Sequence, residues 1–270
     1  MFTTDLSFIT YFLSSAAIFG AIVGSFLNVV VLRMRTGRGL GGRSACMACM
    51  KTLSGKELVP VLSYVLQRGK CASCKSAISI QYVLIEATTA LAFALIAWKI
   101  FFGAGDVDFE ALLLFFAFSI ITASFFIAIV AYDIKHMMIP DIFVLALYVL
   151  AIVRLVFLWQ IGTPLFAQVL SALLIAIFFL ALWALSGGRW LGFGDVKLIL
   201  PLALLLPWDD NLVAVVLAFW SGAIVGVCLV LAGRFRFTKR YKMKSEIPFA
   251  PFLILGTAIA YFVDIPLFPF

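Results

Sequence analysis

Apolar runs of about 20 residues, each long enough to carry a helix through roughly 30 Å of hydrocarbon, recur from residue 8 to residue 264 of this 270-residue chain. Hydrophobic residues make up 65% of it and charged residues 12%, against about 45–50% and 25% in a soluble domain. The length therefore goes into membrane helices rather than a soluble core. The expected class is an all-α polytopic membrane protein with about eight transmembrane helices, at 8–32, 80–102, 110–131, 140–159, 165–186, 196–208, 211–232 and 249–264. The sixth is short and contains Pro201 and Pro207, which predicts an interrupted or re-entrant segment, tolerated where it lines a protein-covered cavity. The first run is not a cleavable signal, because Asp5 precedes it and Arg33, Arg35, Arg38 and Arg43 follow it. Those flanks predict a retained first span with its N-terminus facing outward.

Arg33 to Ser79 carries nine Lys or Arg and Gly233 to Glu246 carries six, together fifteen of the twenty in the chain. Both stretches belong on the cytoplasmic side by the positive-inside rule, and the six spans expected between them satisfy the even count this requires. Parity then brings the ends of the third and fifth spans, with Asp133 and Asp195, to the cytoplasmic face. The outward connections near 103–109, 160–164 and 209–210 carry no Lys or Arg and include Asp106, Asp108, Asp209 and Asp210. The net charge of +7 follows from this asymmetry and from attraction to anionic inner-leaflet lipid, and it does not imply nucleic-acid binding. No internal repeat is evident. The chain reads as a first helix plus cytoplasmic loop over residues 1–79 and a transmembrane domain over residues 80–270.

That loop holds Cys46-Met-Ala-Cys49 and Cys71-Ala-Ser-Cys74, two C-x-x-C pairs separated by 21 residues. Paired knuckles at this spacing put four thiolates within reach of one tetrahedral Zn²⁺, and a cytoplasmic location disfavours disulfides. Four cysteine ligands leave no open coordination position, so such a zinc is structural. Cys228, inside an apolar span, reads as a packed small hydrophobe.

Asp133 sits in Ala131-Tyr-Asp-Ile-Lys-His-Met-Met-Ile-Pro-Asp141, after a span whose last twenty residues carry no charge. Asp195 sits in Gly192-Phe-Gly-Asp-Val-Lys-Leu198, joining the fifth span to the interrupted sixth. Ionisable side chains at membrane depth are costly and point to function. Two carboxylates on one face can share a proton, one activating water while its protonated partner polarises a scissile carbonyl. Asp141 reads as a helix cap and Lys135 and Lys197 as snorkelling interfacial charges. His136 is the only histidine and no G-x-S-x-G elbow accompanies it, which leaves serine-type and cysteine-type nucleophile chemistry poorly supplied.

These motifs resemble the type IV prepilin leader peptidases with attached N-methyltransferase activity. The matching residues are Gly24-Ser-Phe-Leu-Asn-Val-Val30 with Arg33, the four cysteines, Leu58-Val-Pro-Val-Leu-Ser-Tyr64 and Gly69-Lys-Cys71. The match continues through Ile78-Ser79, Tyr82 and Glu86, Tyr-Asp133 with Ile139-Pro-Asp141, Gly-Phe-Gly-Asp195 with Lys197, and Ile247-Pro-Phe-Ala-Pro-Phe252. Ala250 stands where the family usually has glycine, and Val83 where proline commonly follows the tyrosine. The resemblance implies a bacterial inner-membrane enzyme of the GxGD aspartyl type that cuts the basic leader from type IV prepilins or secretion pseudopilins. Asp133 and Asp195 are then the catalytic dyad at the cytoplasmic face. It further implies N-methylation of the new terminus from S-adenosylmethionine, an activity linked to the first loop, with Gly24, Ser25, Asn28, Arg33 and Glu86 as candidate cofactor-binding residues and Arg33 and Glu86 a candidate pair. For Gly24, Ser25 and Asn28 the residues alone read as close helix packing with an interhelical hydrogen bond. Two other classes remain: a proton- or cation-coupled transporter using the two aspartates, with the broken span as its binding element, and a zinc-organised docking scaffold.

Overall fold

The computed structural model describes residues 6–34, 39, 41–103, 107–234 and 248–263. Nine α-helices occur among them: α1 Leu6–Arg33, α2 Leu62–Leu66, α3 Gln81–Gly103, α4 Phe109–His136, α5 Asp141–Gln160, α6 Leu165–Ser186, α7 Phe193–Leu205, α8 Asp210–Arg234 and α9 Ala250–Phe262. Among the described residues the only β structure is two isolated bridges. An all-helical build follows from the solvent: hydrocarbon offers no partner to a backbone N–H or C=O, so each segment bonds within itself.

Six helices, α1, α3, α4, α5, α6 and α8, are long and apolar enough to cross a membrane. The other two expected spans are the 13-residue helices α7 and α9, each only about 20 Å long at 1.5 Å per residue. Their positions agree with the sequence reading, but neither reaches across the hydrocarbon as a straight helix. The second basic stretch lies almost entirely beyond Arg234, outside the described residues, as do Asp5, Arg35, Arg38, Asp106 and Ile247.

The chain divides into two compact units, Met1–Ala131 and Tyr132–Phe270, with α4 running through the boundary. In the first unit α1 packs along α3. Glycine makes the close approach possible: a Cβ on Gly20 would lie 2.6 Å from the Thr89 carbonyl oxygen, and one on Gly24 2.8 Å from Glu86 Cα. The Gly20-x-x-x-Gly24 spacing thus places both gaps on one helix face. Asn28, one turn on, donates from Nδ2 to the Tyr82 carbonyl oxygen of α3 at 3.1 Å.

In the second unit α7 packs against α5 and α6, and α9 against α8. The chain turns out of α6 through Gly187 and Gly188, both at positive φ, with Gly188 N–H bonded to the Trp183 carbonyl, a Schellman stop that only glycine adopts cheaply. Gly256 of α9 lets the α8 backbone in so closely that a Cβ there would collide with the Ala214 carbonyl oxygen. Backbone atoms cannot rotate aside, so Gly256→Ala should destabilise the unit by about 1–3 kcal/mol. A lowered thermal midpoint in detergent, set against an unchanged Gly226→Ala control whose Cβ meets nothing within 4 Å, checks this.

Candidate active site

Asp133 lies in the last turns of α4 and Asp195 in the first turn of α7, 5% and 7% exposed respectively. Both belong to the second unit, and they are close enough for the charge of Asp133 to act on Asp195. Local backbone sets each position. Asp133 is helical, its carbonyl accepting from Met137 N–H at 2.7 Å, and Met137 then takes a positive φ that ends α4. Gly192 caps α7 from extended backbone, with Asp195 N–H bonded to its carbonyl at 3.1 Å. A Cβ on Gly194 would lie 3.2 Å from Ile139 Cδ1, so the α4–α5 connection packs close against this position and a side chain there would press on Ile139. A buried carboxylate pair of this kind can hold one proton between two oxygenic bases, supplying an acid and a base at one place.

The neighbouring charges differ from the sequence reading. Asp141 is the first residue of α5, after Pro140, and makes no side-chain cap. Its carboxylate pairs instead with Lys197 Nζ of α7, and Lys197 also lies 5.5 Å from the centroid of the Phe193 ring. A cap and a snorkelling lysine are thus replaced by an ion pair joining α5 to α7 two residues beyond Asp195. His136 stacks on Tyr132 with ring centroids 4.5 Å apart.

In the first unit the four thiols of Cys46, Cys49, Cys71 and Cys74 converge, all sulfurs within 4.8 Å of one another. Cys46 and Cys74 Sγ are 3.8 Å apart, the separation expected for two thiolates about 2.3 Å from a tetrahedral Zn²⁺. Two equivalent turns build the cluster. Cys46 N–H bonds the Lys51 carbonyl and Met50 N–H the Cys46 carbonyl, while Cys71 N–H bonds Ser76 and Lys75 N–H bonds Cys71. Met50 and Lys75 both adopt positive φ, and bridges Ala45–Thr52 and Lys70–Ala77 close the turns. This is a small internal repeat that the sequence analysis did not find. Lys51 Nζ to Ser73 Oγ, 2.6 Å, ties one turn to the other, and Ser76 Oγ lies 3.1 Å from Cys74 Sγ. Amide N–H groups of Cys49 and Ala48 hold the Cys46 thiol down to about 6. Cys49, although helped by the Lys51 N–H, is pushed up to about 11 by desolvation and its neighbouring sulfurs. Four crowded sulfurs that resist joint ionisation are what a divalent cation stabilises, so the donor set fits the metal.

The five cofactor candidates also fall in this unit. Gly24 is the packing gap against Glu86, and Asn28 Nδ2 makes the bond to Tyr82 already noted together with one to the Gly24 carbonyl at 3.3 Å, so the packing role is present whatever else they do. Asn28 Oδ1 is buried without a partner among the described residues. Glu86 Oε2 accepts from Val61 N–H at 2.7 Å, with Ser25 also within hydrogen-bonding reach. Arg33 Nη1 donates to the carbonyls of Gly39 and Gly41. Val61 is a residue the sequence did not single out: at φ 59°, ψ −51° with Leu62 N–H on the Pro60 carbonyl, it forms a strained γ-turn for a β-branched residue, held by the acid of α3.

A model of the Bacterial Peptidase A24 N-terminal domain matches residues 18–100, and one of the Type IV leader peptidase family matches residues 120–227. A Bacillus subtilis protein named prepilin leader peptidase/N-methyltransferase is 33% identical over 92% of this chain and 93% of its own length. The chain belongs to the type IV leader peptidase family. Proteins of the same name from Burkholderia pseudomallei, 32% identical over 95% of this chain and 87% of theirs, and from Pseudomonas aeruginosa, 30% over 92% and 89%, match as well. No solved structure matches. The chain is therefore a multi-pass inner-membrane peptidase of a family that couples proteolysis to N-methyl transfer. Membership does not favour the transporter reading, and it leaves the docking scaffold without support.

Proposed function

We propose that this enzyme removes the short basic leader from type IV prepilin or pseudopilin precursors with Asp133 and Asp195 as its catalytic pair, and N-methylates the terminus it exposes using S-adenosylmethionine. The observation that carries the reading is the burial of two carboxylates, at the end of α4 and the start of α7, near enough for the charge of Asp133 to act on Asp195, inside the segment matched by the peptidase family model. The ionised member takes a proton from water as the oxygen attacks the scissile carbonyl carbon. The protonated member donates to the carbonyl oxygen, so the tetrahedral intermediate is neutral. Collapse returns a proton to the leaving amine, and the pair is restored to one shared proton. A Cβ on Gly192 would come within 3.3 Å of Asp195 Oδ2, so glycine there keeps a side chain off that acid and leaves room for an extended substrate strand.

From the basic stretch after α1, the two full-length spans α3 and α4 lead back to Asp133, and the two full-length spans α5 and α6 lead from there to Asp195, which supports an outward N-terminus and a cytoplasmic active site. Zinc is the metal of the four-cysteine cluster, and it is structural because the donor set is closed. Residues 1–79 serve methyl transfer and 80–270 proteolysis, with α3 lending Glu86 to the first function. The acceptor capacity of Asn28 Oδ1 and Glu86 fits a cationic ligand; those two, with Ser25, would hold the methyl donor, whose sulfonium supplies the methyl group. Gly24 gives the close approach, and Arg33 shapes the adjoining loop. The partners are the precursors and membrane lipid, not nucleic acid.

Purified protein in nanodiscs, incubated with a prepilin, should release the leader, and adding S-adenosylmethionine should then shift the mature pilin by one methyl mass. Mass spectrometry of the pilin N-terminus reads both steps. An intact precursor after long incubation would remove the peptidase assignment of the pair.

A further inference from the structure

Helix α7, 13 residues long, carries Asp195 in its first turn and stops at Leu205 among apolar residues. Its last carbonyls have no helical partner, and in hydrocarbon an unpaired carbonyl costs several times what it would at a wet surface. Side chains of two neighbouring helices meet this need. Gln168 of α6, 5% exposed, uses its amide nitrogen on two carbonyls, Ala203 at 3.0 Å and Leu206 at 2.8 Å. Arg154 of α5 donates from Nη1 to the Leu204 carbonyl at 2.9 Å, and its positive charge sits at the negative end of the helix dipole. A further carbonyl is orphaned mid-helix, because Pro201 has no N–H to offer Lys197. Tyr148 of α5 donates its hydroxyl to that carbonyl at 3.2 Å.

Neither the family motifs nor the catalytic chemistry uses these three residues. Their bonds share one consequence: sliding or tilting α7 relative to α5 and α6 breaks several buried hydrogen bonds together. The far end of α7, Leu205, lies about 15 Å along the axis from Asp195, ten residues on at 1.5 Å each, yet a rigid helix transmits an axial shift undiminished. Displacing a catalytic group by 1 Å costs about a hundredfold.

We propose that Arg154, Gln168 and Tyr148 are positioning residues that fix the depth of α7 and so hold Asp195 in register with Asp133. The proposal rests on the dyad reading above. Replacing Arg154 with Met, or Gln168 with Leu, keeps volume and apolar fit but removes the donors. Each should lower kcat for leader cleavage by about 10- to 100-fold, with KM for prepilin within about twofold and methylation of a precleaved pilin unchanged. Arg154→Lys, which keeps a charged donor, should recover most of the lost kcat. Tyr148→Phe removes one oxygen and should cost about 3- to 10-fold, which keeps the idea testable if the other two variants fail to fold.

Hydrogen exchange of the 193–198 amides in the full chain in nanodiscs gives a readout independent of turnover, and it should quicken in the Met and Leu variants but not in Arg154→Lys. Wild-type kcat in folded Arg154→Met and Gln168→Leu proteins would overturn the proposal, as would a raised KM at constant kcat or an Arg154→Lys protein as slow as Arg154→Met. If the wild type fails to cleave prepilin while exchange at 193–198 still responds as described, it is the dyad reading that fails and the anchoring of α7 that survives.

Discussion

Asparagine at either Asp133 or Asp195 should reduce leader cleavage by about a thousandfold or more, with expression, membrane insertion and thermal midpoint close to wild type. Asn matches Asp in shape, and a neutral amide is cheaper to bury than a charge, so loss of activity cannot be traced to lost folding. What Asn lacks is a carboxyl group that can take up and give up a proton at the chemical step. With one acid gone, the survivor can activate water or protonate the carbonyl oxygen, not both at once. The two substitutions should therefore have similar effects, and the double variant should be little worse than either, because groups that act as one unit are far from additive. Asp141→Asn is the useful contrast: it weakens the pairing to Lys197 but leaves both acids, and partly exposed ion pairs contribute little, so cleavage should fall by no more than a few-fold. Prepilin conversion followed on gels and by mass spectrometry measures all four variants. Substantial turnover by Asp133→Asn or Asp195→Asn would falsify the dyad assignment.

The sequence made some of this legible and not the rest, for identifiable reasons. Hydropathy placed all eight apolar helices within a few residues, because the bilayer requires backbone bonding within each segment and the signal is therefore local. It counted eight spans where six helices have the length, since an apolar window does not register where a helix stops: α7 ends at Leu205, short of Pro207. The cysteines were legible as a cluster from spacing alone. The repeat that builds them was not, because its other positions, Lys51 with Ser76 and Met50 with Lys75, share backbone conformation rather than side-chain type. Asp141 and Lys197 each had a plausible local role, and their pairing spans 56 residues of chain, which no local pattern reveals. In the sequence Gln168 and Arg154 stand as isolated polar residues in apolar spans. Their meaning depends on which carbonyls a neighbouring helix leaves open.

Cys71→Ser should empty the zinc site and unravel the first loop, and it separates the two activities. Cys71 is the one buried cysteine of the four, 4% exposed, so a water-exposed donor would not easily take its place. Structural zinc sites of this type contribute about 10–16 kcal/mol of binding free energy at neutral pH. A loop of this size has too little core to compensate. Purified wild type should carry about one equivalent of Zn²⁺ and the variant essentially none, and limited proteolysis should open the 41–80 segment of the variant first. Methylation of a precleaved pilin should fall at least as steeply as leader cleavage, because Val61, held by Glu86, lies within the loop that loses its anchor. Asp195→Asn gives the converse case: methyl transfer needs a neutral amine positioned against the sulfonium and no aspartate proton, so a precleaved pilin should still be methylated. A Cys71→Ser protein with full zinc content and an unchanged proteolysis pattern would sink the metal assignment. A folded Asp195→Asn protein that binds precleaved pilin yet transfers no methyl would replace the two-site reading with a single shared centre.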